Sequence, residues 1–310
     1  MNGDKDVTIV IKTFIRISCI DRLLASIVKY ACECPIIICD DGSDATENKS
    51  YILSKYQNLN INYIITEQNI GLSKGRNILV ENVKTKYFIL CDDDFVFFKK
   101  TNIKMAKELI SREKLDILGG VCLHAYRVNF GSKREKISKF LRSIQRAVHY
   151  YRKVGYSGVI KINEKDIIIK NDKINYNSKN IILTDICENF FIANTKKVRD
   201  LKWYEKLKLN EHEDFFIRAK KAGFKIGIIP TLKVYHLPET NSSFSKHRNK
   251  NYYMDVLKNN NIKELTIIRN NVGIVQTYKL LDDGRIDISQ SYTKNSLGKL
   301  KKLYYTKIKK

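Results

Sequence analysis

The chain has 310 residues, 43% hydrophobic and 29% charged, with 57 Lys+Arg against 33 Asp+Glu and a formal net charge of +24. That is enough apolar sequence to bury a sizeable core in one large α/β domain or two smaller ones, and the charge favours polyanionic neighbours such as nucleic acid, an anionic membrane or a phosphorylated substrate. Seven cysteines, an odd number without paired C-x-x-C motifs, read as buried thiols in a reducing compartment and exclude an obvious zinc site. The polar start at residues 1–6 is not a signal peptide, and no apolar run reaches membrane-spanning length. The expectation is a cytoplasmic protein, peripheral at most on the inner membrane face.

Residues 7–11 form a buried-type strand, and apolar residues at Ile20, Leu23, Leu24, Ile27 and Val28 then follow helical spacing. A second strand at 35–39 ends in Asp40-Asp41-Gly42-Ser43-Asp44, a helix covers 47–56, and 61–65 is a third strand. Gly71 to Asn77 is a loop entering a helix of about 76–83. A fourth strand, Tyr87 to Cys91, runs into Asp92-Asp93-Asp94. A helix to about 112 and a strand at 115–122 come next. This rhythm predicts an α/β fold, a doubly wound and mostly parallel sheet with flanking helices. Residues 124–157, rich in Lys, Arg and Tyr, read as a basic amphipathic helix or lid, and 159–162 with 167–169 as a hairpin around Asn163-Glu164-Lys165-Asp166. An apolar segment spans 185–193. Asn210 and Glu213 form a capping box for a helix closed by Gly223. Strands follow at 226–229, 234–236, 265–268 and 274–278. The predicted organisation is a catalytic domain over 1–240, divided into a nucleotide-binding half (1–122) and an acceptor and catalytic half (123–240), with a small basic C-terminal extension over 241–310.

The three adjacent aspartates carry the chemical signal. No core buries three unpaired carboxylates, so they sit at a strand's carboxyl end, in water or around a cation. Open α/β sheets bind ligands at that edge, and hard divalent cations bridge carboxylates to substrate phosphates. Thr13, Phe14 and Arg16 after the first strand, with Asp40 and Asp41 after the second, are suited to a nucleobase. Gly71, Gly75, Arg76 and Asn77 at a helix start suit a base edge or phosphate. Asp92, Asp93 and Asp94 supply a cation site to which His236 is a candidate third ligand. Glu211, Glu213 and Asp214 around His212 exceed what one helix cap requires. A carboxylate there can take the proton of an attacking hydroxyl: Asp214 is the candidate base, and Glu213 orients the acceptor or shares that role.

The ordered set Thr13-Phe14, Asp40-Asp41-Gly42-Ser43, Gly71-x-x-x-Gly75-Arg76-Asn77, Asp92-Asp93-Asp94, Glu213-Asp214 and His236 resembles glycosyltransferase family 2 and its GT-A relatives over roughly residues 7–238. Lys12-Thr13-Phe14, Gly75-Arg76-Asn77, Thr85-Lys86-Tyr87, Asp92 to Phe97 and Asn189-Phe190-Phe191-Ile192-Ala193 resemble, within that group, the β-1,4-N-acetylgalactosaminyltransferases. The resemblance implies a GT-A fold, a UDP-sugar donor with GalNAc favoured, and Mn²⁺ or Mg²⁺. It implies that Asp94 is the direct metal ligand with Asp92 and His236, that Asp92 or Asp93 lies near the ribose, and that Asp41 and Arg76 grip uracil. It also assigns Asn189 to the nucleotide-sugar site and Asp214 to the base of an inverting displacement. The basic surface, including Lys/Arg in 133–153 and 299–310, then suits an anionic glycan or glycolipid acceptor or an anionic membrane. The rival readings are a nucleotidyltransferase, a sugar-nucleotide-binding module without activity, and a nucleic-acid-binding protein. The last is disfavoured because acidic clusters at strand ends repel phosphate unless a metal intervenes.

Overall fold

The computed structural model describes residues 2–126, 150–154, 156–238, 252–270 and 273–292. Four strands expected from apolar runs form a parallel block: β1 (Val7–Thr13), β2 (Ile36–Asp40), β3 (Ile61–Ile65) and β4 (Tyr87–Asp92), in the spatial order β4-β1-β2-β3. All seven residues of β1 are buried, as a central parallel strand covered on both faces requires. Its side chains alternate between two cores: Val10 joins Phe88 and Leu90 on one face, while Ile9 and Ile11 join Leu23, Leu24 and Ile27 on the other. The latter three belong to α1 (Ile17–Tyr30), whose apolar spacing fixes which side it buries. α2 (Ala45–Lys55), α3 (Leu72–Asn82) and α4 (Ile103–Arg112) are the other helices of this half.

Beyond β4 the sheet becomes mixed. β11 (Phe191–Asn194) inserts antiparallel between β4 and β6 (Ile117–Tyr126), and β12 (Ile226–His236) lies parallel to β6 on its far side. β10 (Ile182–Thr184) closes that end of the order. The two short strands expected at 226–229 and 234–236 are one strand, with a register shift between Ile228 and Lys233 that accommodates Pro230. β5 (Phe95–Val96) pairs with its end. β7 (Tyr150–Val154) pairs with β6, and the rest of the expected basic lid, 127–149, lies outside the described residues.

A second sheet has the order β15-β14-β13-β9-β8, from β8 (Tyr156–Ile162), β9 (Asp166–Lys173), β13 (Glu264–Arg269), β14 (Ile274–Leu280) and β15 (Ile286–Tyr292). The expected hairpin is β8–β9. The expected boundary near 240 does not separate two folding units, because β9 pairs in parallel with β13 across it. Ile167 and Ile169 of β9 and Leu265 and Ile267 of β13 share the larger core with Phe191 and Phe215. The C-terminal strands are thus built into the body of the protein.

α3 starts four residues before the expected Arg76. Gly71 stands before it at φ +90°, a conformation that side chains with a Cβ rarely adopt, and its N–H donates to Asp41 Oδ2 at 3.1 Å. Gly75 faces β1, and a Cβ there would run into the Lys12 side chain. α5 (Thr195–Leu201) leads into a loop held against α3 by Asn77, whose side chain donates to Trp203 O at 2.9 Å and accepts from Trp203 N at 2.8 Å. Asn77 is therefore spent on this clamp and does not face a nucleotide, a correction to its expected role. The capping box is corrected as well. Asn210 precedes α6 (Glu211–Lys221) in the left-handed region, φ 58°, and makes no cap hydrogen bond; its Oδ1 accepts from Tyr252 N at 3.2 Å.

Replacing Asn77 by alanine leaves two buried backbone groups of Trp203 unpaired and is expected to lower stability by about 2 kcal/mol. Urea unfolding followed by the fluorescence of Trp203, the sole tryptophan, measures this; an unchanged midpoint would contradict the clamp.

Candidate active site

The parallel block delivers the carboxyl ends of β1, β2 and β4 to one edge, and Thr13, Asp40 and Asp92 are their last residues. Asp93 is fully buried, held by Thr13 Oγ1 at 2.8 Å and by the Arg16 guanidinium. Arg16 also reaches Asp94 Oδ2 at 3.1 Å. Burial drives the Asp93 carboxyl up to about 7 despite Arg16. Burial pushes Asp94 up too, but His236 and Arg16 more than offset it and hold Asp94 below the usual carboxylate range. Arg76 is 1% exposed and bridges Glu211 Oε1 at 2.7 Å to Asp92 Oδ1 at 3.2 Å.

Strand register explains how His236 arrives. β5 pairs Phe95 with His236, Leu237 N donates to Asp94 O at 2.9 Å, and His236 Nε2 ends 3.2 Å from Asp94 Oδ1. Parallel pairing of β12 with β6 sets His236 opposite His124, with their Nδ1 atoms 3.1 Å apart. Burial pulls the His236 imidazole down, yet the Asp94 contact outweighs it and raises the pKa. Among the described residues Asp94 Oδ1 has no aligned hydrogen-bond donor, and its contact with His236 is an ion pair when the imidazole is protonated.

Beside this cluster a cleft of ≈ 520 Å³, counted out to its mouth, is lined by Lys12, Thr13, Phe14, Arg16, Asp41, Gly71 and Asp93, with Lys208 on the loop before α6. Lys12, buried, pairs with Asp41 and donates to Thr13 O at 2.8 Å. Asp40 faces away from the cleft and is saturated by Gly42 N, Asn48 Nδ2 and Tyr63 Oη. Thr13, Phe14, Arg16 and Asp41 are thus together in one cleft, as expected. Arg76 is not: it stands under Asp92, where it fixes that carboxylate and Glu211 instead of lying free for a base.

The expected base is also displaced. Asp214 is 0% exposed and accepts from Arg218 Nε at 2.9 Å, Asn259 Nδ2 at 2.6 Å and Asn260 Nδ2 at 2.8 Å. The two asparagines belong to the α7 region (Tyr253–Asn260), so Asp214 joins α6 to α7. A carboxylate so enclosed and so fully donated to offers no open face to an acceptor hydroxyl. Glu213, two helical steps of about 100° from Glu211, is turned toward Tyr253, whose hydroxyl lies 3.4 Å away. Residues that face the site instead are Glu211, through Arg76, and His212, whose Nδ1 is 2.7 Å from Asn189 Oδ1. Burial, with Arg76 nearby, drives the His212 imidazole down to about 3. Asn189 therefore reaches the site edge through His212. Glu188, beside it, has an Oε1 shut off from solvent without a hydrogen-bond partner among the described residues, and burial raises its carboxyl to about 7. Glu188 and His124 had no place in the sequence-derived site, and Lys12 and Glu211 were named only in a motif and in the acidic cluster around His212, without a role.

A divalent cation fits one part of this edge. Asp94 and His236, with Asp92 nearby and one-third exposed, offer oxygen and imidazole donors, and among the described residues Asp94 Oδ1 lacks an aligned hydrogen-bond donor. Among the described residues no three such side chains close a cage, so a cation here draws its other ligands from a substrate, as hard cations do with phosphates.

With this geometry in hand, the chain's kinship is clear. The family model described as "Glycosyl transferase family 2" matches residues 8–199, and the protein belongs to that family. It is 29% identical over 213 residues to mouse beta-1,4 N-acetylgalactosaminyltransferase 2, and 28% identical over 219 residues to human beta-1,4 N-acetylgalactosaminyltransferase 1. Each match covers 68% of this chain and 35% of the relative, so the chain spans about a third of the relatives' length. The crystal structure of S. aureus TarS 1-349 in complex with UDP-GlcNAc shares its fold, with a TM-score of 0.53 and 18% identity over 81% of this chain and 64% of that one.

Replacing Asp214 by alanine strips an acceptor from three donors and leaves Arg218 uncompensated. Its expected cost is about 3 kcal/mol of stability, with UDP affinity unchanged. Thermal unfolding and calorimetric titration of UDP measure the two, and a stable variant would contradict the structural role.

Proposed function

We propose that this protein is an inverting glycosyltransferase that moves a hexose or N-acetylhexosamine, GalNAc favoured, from a UDP-sugar to a hydroxyl of a glycan or glycolipid. One observation carries the reading: an open cleft lined by Phe14, Arg16 and Asp41 reaches Asp93, beside Asp94 and His236 3.2 Å apart. Phe14 in the cleft lining suits stacking on a base, and Asp41, also in the lining, suits an imino N–H. The similarity to N-acetylgalactosaminyltransferases supports the sugar class, and the fold shared with a protein crystallised with UDP-GlcNAc is consistent with a UDP-linked donor.

Asp94, His236 and Asp92 would hold Mn²⁺ or Mg²⁺, which when bound supplies Lewis-acid neutralisation of a leaving diphosphate. Arg16 spans Asp93 and Asp94 and stands ready to add its guanidinium to a phosphate oxygen. Arg76 fixes Asp92 through its ion pairs with Asp92 and Glu211, and so would position that carboxylate without touching a donor. The net charge of +24 supports an acceptor that carries sialic acid, phosphate or a lipid diphosphate, or contact with an anionic membrane surface. No helix among the described residues is long and apolar enough to cross a membrane.

Turnover of UDP-GalNAc or UDP-GlcNAc is expected to release UDP and no pyrophosphate; pyrophosphate would indicate a nucleotidyltransferase. Calorimetry with Mn²⁺ and with EDTA gives the second test. UDP affinity is expected to fall at least tenfold without the cation, and Asp94→Asn to abolish that difference. UDP binding indifferent to both would contradict the cation's role.

A further inference from the structure

We propose that Glu188 is the general base of sugar transfer, an inference that rests on the transferase reading above. Strand register brings it to the catalytic edge. β11 runs antiparallel between β4 and β6, with Phe191 opposite Leu90 on one side and Gly119 on the other. Phe190 O accepts from Gly120 N at 2.9 Å, so the ladder beside β6 continues one residue past the strand's end. Extended three residues before Phe191, the antiparallel register that sets Phe191 opposite Leu90 leads toward the Asp92–Asp94 cluster. Glu188 accordingly lies within electrostatic reach of Asp92 on β4, His236 on β12 and Cys122 on β6.

The other carboxylates at this edge are occupied. Arg76 holds Asp92 and Glu211, Thr13 and Arg16 hold Asp93, and Arg16 with His236 holds Asp94. Glu213 turns toward Tyr253, and Asp214 is saturated between α6 and α7. Glu188 differs in having no ion-pair partner among the described residues: its Oε1, like Asp94 Oδ1, is enclosed without a hydrogen-bond donor among them, but no Arg, Lys or His closes on it as Arg16 and His236 close on Asp94, and the residue as a whole is partly exposed. Hydrogen bonds to a carboxylate stabilise its charged form and weaken it as a base; their absence, with burial, does the reverse. A half-buried, undonated carboxylate beside a diphosphate site is what proton removal from a neutral hydroxyl needs.

The step balances as a single displacement. The acceptor hydroxyl oxygen forms a bond to the anomeric carbon as its proton passes to the Glu188 carboxylate. The bond from that carbon to the phosphate oxygen breaks, UDP leaves with the electron pair, and Glu188 returns its proton to solvent. Water serves as the acceptor in slow hydrolysis of the donor by the same route.

The test uses the full chain with Mn²⁺, UDP-GalNAc and UDP-GlcNAc as donors, and water as the acceptor probe. UDP release and UDP affinity are measured for the wild type, Glu188→Gln and Glu188→Ala, each checked for an intact thermal transition. Glu188→Gln is expected to bind UDP within threefold of the wild type and to release it about a hundredfold more slowly or worse. Added formate, a small carboxylate that can enter the vacated space, is expected to restore release at least tenfold in Glu188→Ala and not in the wild type. Release by Glu188→Gln within threefold of the wild type would overturn the assignment, as would a parallel loss of UDP affinity and turnover or an absence of formate rescue. A wild type that binds no UDP would instead overturn the transferase reading itself, before any variant is compared.

Discussion

Three consecutive carboxylates at the end of a buried strand are tolerable only if cations answer them, and that demand organises this protein. Arg16 reaches Asp93 and Asp94 from the start of α1, Arg76 rises from α3 between Asp92 and Glu211, and His236 comes from β12 to Asp94. Each cation belongs to a different element, so the acidic cluster ties together parts of the chain more than 130 residues apart, Arg76 and Glu211 among them. Removing one partner of such a pair exposes the full cost of an uncompensated buried charge. The same arrangement answers most of the cluster's negative charge from within, and on the proposed reading an external cation and a diphosphate would take over part of that role.

Sheet topology decides what chemistry stands where. The parallel block alone would deliver only Thr13, Asp40 and Asp92 to the edge. Inserting β11 antiparallel between β4 and β6 sends a second chain direction through the same edge and carries Glu188 and Asn189 into it. The parallel pairing of β12 with β6 adds His236 and His124 in one register. On the proposed reading, nucleotide contacts fall on the β1–β2 side and proton chemistry on the β6–β12 side, with the aspartates between them.

Much of this was legible from residue pattern. Buried strands of four or five apolar residues, each followed by polar residues, gave the parallel half and its reactive edge, because a strand covered on both faces has no other place to discharge a carboxylate. Asp94 and His236, 142 positions apart, were paired on chemical grounds and stand 3.2 Å apart. What failed concerns side-chain direction. Asp214 sits three residues from Glu211 on α6, and nothing in the local sequence says that Asn259 and Asn260, 45 and 46 residues on, will claim it. Asn77 was read as a ligand because it opens a helix, whereas Trp203, 126 residues away, takes both ends of its amide. Glu188 escaped notice because its importance depends on β11 running antiparallel, and four apolar residues look the same in either direction. The C-terminal strands were undervalued for a similar reason: weak, polar-flanked strands gain their stability from pairing with β9, a partner far away in sequence.

The account stands on the edge formed by β4, β5 and β12 as the seat of the donor diphosphate. A crystal structure of the protein with Mn²⁺ and UDP, the metal located by its anomalous signal, tests that most directly. The expected result is a manganese peak beside Asp94 and His236, its coordination completed by diphosphate oxygens, with uracil against Phe14 and Asp41. Manganese and UDP bound elsewhere on the protein, with Asp94 still joined to Arg16 and His236, would contradict it.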